Sequence, residues 1–264
     1  MGNPLEERVG DAHAPFDLDE LAGARRLADW MFEQFRDALG PRVVEVGPGV
    51  GTFTGRLLAA GVERMLLIEA DGRLAELLER RYADDPRVTV VAESLPESPA
   101  LSAAPGDWEF VLCQNVLEHI QDDAGAVAAM ASALRPGGRL GLLVPAHPRL
   151  YGHLDRAYGH HRRYTRERLR RVVDGAGLEL LDLYSFNLLG VVGWLAKKRS
   201  RSERLGTRSL ALYERLVVLW RPVERVVRPP WGLSLIALAK RPSLDTATAS
   251  PRRAGSIPGL TGSS

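Results

Sequence analysis

The chain has 264 residues, 45% apolar and 26% charged, which is enough for one substantial core with additions and unlike a disordered or fibrous composition. Its single cysteine, Cys113, excludes disulfides within the chain and a cysteine-rich zinc site. The net charge of +2 hides an asymmetry: residues 1–146 carry 13 basic against 24 acidic side chains, a net of −11, and residues 147–264 carry 22 against 9, a net of +13, so the second part suits an anionic substrate, an acidic membrane surface or a nucleic acid.

Residues 1–40 contain no continuous apolar run of the signal-peptide kind, and a cytoplasmic location is expected. Within them, 18–39 places Leu21, Ala24, Leu27, Ala28, Met31, Phe32 and Phe35 at near-helical spacing, predicting a packed N-terminal helix that Gly40-Pro41 ends. Apolar runs at 42–46, 64–69, 87–91, 110–113 and 140–144 then read as buried strands, separated mostly by helices near 52–60, 72–82 and 123–134. Such alternation predicts an α/β domain with a parallel sheet covered on both faces. Arg135-Pro136-Gly137-Gly138 reads as a turn before the fifth strand.

Thr165 reads as the N-cap of a helix to about residue 176, followed by a sixth strand at 178–186, a helix at 209–227 and a seventh strand at 233–239. The apolar stretch 187–196 is far shorter than the roughly 20 residues that cross a bilayer. The division expected is a helical segment at 1–40, a main domain at 41–242 and a disordered tail at 243–264, whose composition is Ser, Thr, Ala, Pro and Gly with few large apolar side chains.

The strongest chemical signal is Glu45-Val46-Gly47-Pro48-Gly49-Val50-Gly51, a strand running into a glycine turn that opens a helix. Glycine lets backbone approach a ligand in dihedrals that a side chain forbids. A dinucleotide fingerprint needs its third glycine at position 52, which is Thr52, and this weakens an NAD(P)-dependent oxidoreductase reading. The second strand ends at Glu69, about 20 residues on, where a carboxylate can accept both hydroxyls of a ribose. Glu93 follows the third strand.

The run Glu45 to Gly51, Glu69, Val91-Ala92-Glu93-Ser94-Leu95-Pro96, Gln114-Asn115-Val116-Leu117-Glu118-His119-Ile120 and Leu134-Arg135-Pro136-Gly137-Gly138 together resemble class I methyltransferases that use S-adenosyl-L-methionine (SAM). Tyr151-Gly152-His153-Leu154-Asp155 and Gly159-His160-His161-Arg162-Arg163-Tyr164-Thr165 resemble a bacterial subgroup of them. The resemblance implies a Rossmann-like, seven-stranded, mostly parallel sheet with an antiparallel last strand and a helical insertion before it. It implies that Gly47, Gly49 and Gly51 pass beneath the methionine and ribose, that Glu45 holds the amino-acid end and that Glu69 holds the ribose, with Ala70 beside it. Glu93 would face adenine, although the family more often has Asp there, and Asn115 would line the methyl end.

The expected activity is methyl transfer to oxygen or nitrogen of a small, anionic or amphipathic acceptor; a noncatalytic SAM-binding protein is the other alternative. Nucleic acid is not the expected substrate, since no Asn/Asp-Pro-Pro-aromatic tetrapeptide occurs. A general base would assist, and His119, His147, His153, His160 and His161 are candidates. Arg163 and Tyr164 join His119, His147 and His160 as expected catalytic-site residues. Arg162 and Arg163 either grip an anionic acceptor or pair with acidic residues and staple the fold. Glu118-His119 is similar to a pair that holds a divalent metal in some methyltransferases, but a second carboxylate is missing and no metal is expected. Finally, the apolar stretch at 188–195 with Trp194, followed by Lys197, Lys198, Arg199 and Arg201, has the composition of a helix in a membrane interface, or of one covering the sheet beside solvated cations.

Overall fold

Alternating strand residues divide the core of the molecule in two. In the computed structural model, which describes residues 24–200 and 207–243 and the side chains of 24–195 and 212–243, seven strands form one sheet in the order β3-β2-β1-β4-β5-β7-β6. They are β1 (Arg42–Val46), β2 (Arg64–Glu69), β3 (Val88–Ala92), β4 (Trp108–Gln114), β5 (Leu134–Pro145), β6 (Glu179–Phe186) and β7 (Ser234–Lys240). The first five are parallel neighbours, and β7 runs antiparallel between β5 and β6. The parallel order reverses beside β1, so the carboxyl ends of β1 and β4 flank the crevice where such sheets bind ligands.

Val44, Val46, Val111, Leu140 and Leu142 point to one core, which α5 (Asp123–Ala133) and α7 (Arg166–Gly175) cover with Val127, Met130, Leu169 and Val173. Val43, Leu67, Phe110 and Leu112 point to the other, covered by α1 (Arg25–Glu33), α2 (Thr54–Ala59) and α3 (Gly72–Tyr82) with Met31, Leu57 and Leu78. This period of two is what makes the inner strands β1, β2 and β4 read as continuous apolar runs: both of their faces are buried. Gly141 in β5 leaves room on the second face, where a Cβ would lie 2.6 Å from Phe35 and 2.7 Å from Phe110.

The side chain of Thr165 caps α7 by accepting from the Arg168 backbone N–H, as its position before the helix predicts. The turn expected at 135–138 is instead an irregularity inside β5: Leu134 pairs with Trp108 and Arg139 with Phe110. Its backbone finds partners at the end of β7, where Gly137 N–H donates to the Arg241 carbonyl and Arg241 N–H to that of Gly138. Two short helices lie beyond the sequence expectation, α4 (Pro99–Ser102) and α6 (His153–Ala157). Both are shorter than the window over which helical periodicity is legible.

Between β6 and β7 come α8 (Leu188–Ser200) and α9 (Thr207–Val227). Glu224 of α9 accepts from the N–H groups of Asn187 and Leu188 at the start of α8, and Glu214 accepts from those of Arg26 and Leu27 at the start of α1. Carboxylates there satisfy donors that no helix can satisfy itself. No helix among the described residues is long and apolar enough to cross a membrane. The first part of the expected N-terminal helix, the tail from 244 and the side chains of Lys197, Lys198, Arg199 and Arg201 lie outside the described residues.

Candidate active site

The chain leaves β1 through three glycines with positive φ, +65° at Gly47, +57° at Gly49 and +80° at Gly51. These conformations strain any residue with a Cβ. At Gly47 a Cβ would also lie 2.3 Å from Val116, so the segment after β4 presses directly on the glycine turn. Opposite, Glu69 is 7% exposed, and its carboxylate accepts from Gly49 N–H at 2.9 Å and from Asp71 N–H at 3.0 Å. Burial pushes its pKa above the ordinary carboxylate value, against the pull of those backbone donors.

Glu45 lies deeper, 3% exposed, and accepts from Thr54 Oγ1 at 2.7 Å. Burial raises its pKa to about 7; the Thr54 hydrogen bond works against this, and the charge of Glu69 adds to it. Ala70, beyond Glu69, is exposed. Glu93 plays a structural part, because its Oε2 accepts from Ser98 Oγ at 2.5 Å and from Ala100 N–H at 3.0 Å, which ties β3 to the start of α4. Asn115 has φ +53° and donates its N–H to the Leu143 carbonyl. Its neighbour Gln114 is buried, and neither atom of its side-chain amide has a hydrogen-bond partner.

Beside this cradle the histidines gather. A 3-10 turn, Leu117–His119, carries Glu118 and His119, and the segment after α6 folds back on it, with His161 N–H donating to the Glu118 carbonyl. The His119 and His160 rings meet edge to face, 4.6 Å between centroids. Burial, with His160 and His161 close by, lowers the His119 pKa to about 4, whereas a hydrogen bond to the Gly159 backbone works to raise it. Asp155 is fully buried; its Oδ1 lies 3.1 Å from His160 Nδ1 and accepts from Arg163 Nε at 2.6 Å. Burial works to raise the Asp155 pKa, but His160 and Arg163 together hold it below the ordinary value.

The arginines are engaged with the protein itself. Arg163 is 4% exposed, paired with Asp155 and seated 4.2 Å from the Trp194 ring. Arg162 pairs with Asp123, a residue of the acidic half, at 3.1 Å. Of the two roles open to this pair, the geometry is that of staples. Tyr164 has no exposure, and its hydroxyl donates to Asp123 at 2.9 Å, which places it in the packing between α5 and α7.

His147 sits just past β5 with φ +60°, its ring stacked on Trp231 at 5.0 Å. Its pKa is lowered, first by burial and then by Arg163, against a hydrogen bond to the Gly232 backbone, and its Nε2 is buried without a partner. His153 also has a buried Nε2 without a partner. Gln114, Asp155 and Trp231 enter the site without having been expected from the sequence. Gln114 carries one signal, as a polar residue closing an apolar strand; Asp155 matters through His160 and Arg163, five and eight residues on, once the segment after α6 folds back, and Trp231 only through a contact distant in the chain.

Residues 20–183 match the model of a methyltransferase-domain family. The chain belongs to that family. Among relatives of this methyltransferase domain are a ubiquinone biosynthesis O-methyltransferase of Bordetella bronchiseptica, 29% identical over 51% of this chain and 54% of that protein, and one of Ralstonia nicotianae, 31% identical over 52% and 56%. The domain thus spans about half the length of the curated relatives it matches. The fold is shared with geranyl diphosphate C-methyltransferase from Streptomyces coelicolor A3(2), at 16% identity and a TM-score of 0.62 over 88% of this chain and 86% of that one. The seven-stranded, mostly parallel sheet with antiparallel β7 is the one the resemblance implied.

Proposed function

We propose that this methyltransferase domain binds SAM over the carboxyl ends of β1, β2 and β4 and methylates a hydroxyl of a small amphipathic acceptor. The observation that carries the reading is the buried carboxylate of Glu69 held against the N–H of Gly49, in a turn of three positive-φ glycines where Val116 leaves no room for a Cβ at Gly47. A ribose needs a carboxylate facing that backbone, and the residues present fit it. Bound there, SAM would supply an activated methyl on a sulfonium.

Glu69 accepts from the ribose hydroxyls, Glu45 faces the amino-acid end, and Asn115 with Gln114 borders the methyl end. Alignment is the chief contribution of these residues and is worth on the order of 7–11 kcal/mol in favourable cases. His147 accepts the proton of the acceptor hydroxyl at Nε2: its other ring nitrogen is turned to the Gly232 backbone, and burial keeps the imidazole neutral. Oxygen as the acceptor atom is supported by the two curated relatives, whose names carry O-methylation.

The amphipathic character of the acceptor, and contact with an anionic membrane surface, is favoured by α9. Leu212, Leu216, Leu219, Val223 and Val226 recur every three or four residues and are all exposed, with Arg215 and Arg225 beside them and Trp231 beyond. Trp194, by contrast, turns inward onto Arg163.

Calorimetric titration with SAM, S-adenosylhomocysteine and NAD, followed by labelled-methyl transfer to catechols with and without an alkyl tail, tests the proposal. Binding of the first two ligands and faster transfer to the tailed catechol are expected. Binding of NAD without SAM would overturn the cofactor, and transfer only to amines would overturn the acceptor.

A further inference from the structure

Glu118, His119 and His160 each offer one ligand atom, and these atoms all lie within 4.8 Å of one another. We propose that these three side chains bind a divalent first-row transition-metal ion, whose remaining positions are open to oxygen atoms of the acceptor. The second clause rests on the O-methylation reading above; the first stands on geometry alone.

Three features set this cluster apart from an ordinary group of polar side chains. Glu118 is 1% exposed, so its carboxylate is withdrawn from the water that would otherwise stabilise it. The distance from Glu118 Oε1 to His160 Nε2 is 4.0 Å, too long for a hydrogen bond and open enough to admit an ion between them. Both imidazoles are held from behind: Asp155 Oδ1 faces His160 Nδ1 at 3.1 Å, and the Gly159 backbone hydrogen-bonds the His119 ring. An outer carboxylate or carbonyl on one ring nitrogen fixes the tautomer and directs the lone pair of the other nitrogen forward, the arrangement found around metal-bound histidines.

Metal–ligand bonds of about 2.0–2.2 Å put tetrahedral ligands roughly 3.3 Å apart. The three donors reach that spacing by small side-chain rotations. Two imidazoles and one carboxylate make a donor set for zinc, iron or manganese rather than for magnesium or calcium, which take oxygen ligands. Carboxylates counted along the chain point to no metal because the missing ligand is a histidine, brought beside Glu118 only when the segment after α6 folds back. An open position on such an ion lowers the pKa of a bound hydroxyl, and the cluster follows directly on the segment whose Val116 presses on the glycine turn.

The test uses the full chain, stripped with a chelator and titrated with Zn2+ by calorimetry and with Co2+ by visible absorption. Stoichiometric binding is expected, with a d–d band typical of nitrogen and oxygen ligands. Glu118→Gln, His119→Ala and His160→Ala should each weaken binding roughly tenfold or more, with SAM affinity retained, whereas His153→Ala and His161→Ala should leave it unchanged. Absence of stoichiometric binding in the wild-type chain overturns the site, as does equal binding by the Glu118→Gln and His160→Ala variants. Metal binding without methyl transfer to any catechol would keep the site and remove the acceptor reading.

Discussion

His160 and Asp155 share a buried contact, Nδ1 to Oδ1 at 3.1 Å, through the same carboxylate oxygen that receives Arg163. Replacing Asp155 with Asn removes the buried negative charge that faces the Arg163 guanidinium, itself 4% exposed. Breaking a buried pair in this way costs about 3–5 kcal/mol. Because the Asp155 pKa is held below its ordinary value of 3.8, its stabilisation is present above that value and is lost as pH falls through the lower, folded one. Urea unfolding at pH 7 should therefore show a large loss for Asp155→Asn, and the loss should shrink on strong acidification. A change within experimental error at pH 7 would mean that Arg163 finds another anchor.

Glu69→Ala and Gly49→Val should each abolish or greatly weaken SAM binding while circular dichroism remains native. The first removes charged acceptors worth about 1.5–3 kcal/mol each, roughly a tenfold to hundredfold loss of affinity for each ribose hydroxyl. The second places a β-branched residue at φ +57° in the turn. Calorimetry checks both, and unchanged affinity in the two variants would place the cofactor elsewhere.

Glu45 has a folded pKa of about 7 against an ordinary 4.5. A raised carboxyl contributes stability fully below its unfolded value and loses that contribution as pH rises through its folded one. The cofactor-free protein should lose stability between about pH 4.5 and 7, by roughly 3 kcal/mol from this group. Glu45→Gln should flatten that slope. Denaturation midpoints at half-unit pH steps give the comparison, and identical slopes in both proteins would show that Glu45 ionises without cost.

His147→Ala should lower kcat roughly a hundredfold or more and leave SAM affinity intact. Since burial moves the His147 pKa below 6.5, the base form dominates at neutral pH, and activity should fall only on acidification below the ordinary histidine range. His160→Ala should also lower turnover without loss of SAM affinity. Parallel losses of affinity and turnover in that variant would move its segment to the cofactor.

The exposed face of α9 should bring the protein to anionic vesicles at low salt and release it at high salt, since cations near such a surface contribute about 1 kcal/mol each. Cosedimentation of the wild-type chain against Leu219→Glu and Val226→Glu decides it. Equal sedimentation of all three, or none by the wild type, would leave α9 without a membrane role.

The sheet was legible in the amino-acid order because burial of both faces writes a strand as an unbroken apolar run: β1 at Arg42–Val46 and β2 at Arg64–Glu69 match residue for residue. The glycine turn was legible for a similar reason, since its positive φ values and the close approach of Val116 admit almost no other residue. Tertiary structure alone decided what each charged side chain is for. Nothing local tells that Arg162 meets Asp123, that Glu93 closes on Ser98, or that Glu214 and Glu224 cap helices far away in the chain. A carboxylate or guanidinium has the same local pattern whether it faces ligand, solvent or another charge; only the fold sets which partner removes it from water. The meeting of Glu118 and His119 with His160 is of this kind, for an imidazole becomes a candidate ligand through its distance to other donors, and that distance exists only once the chain has folded.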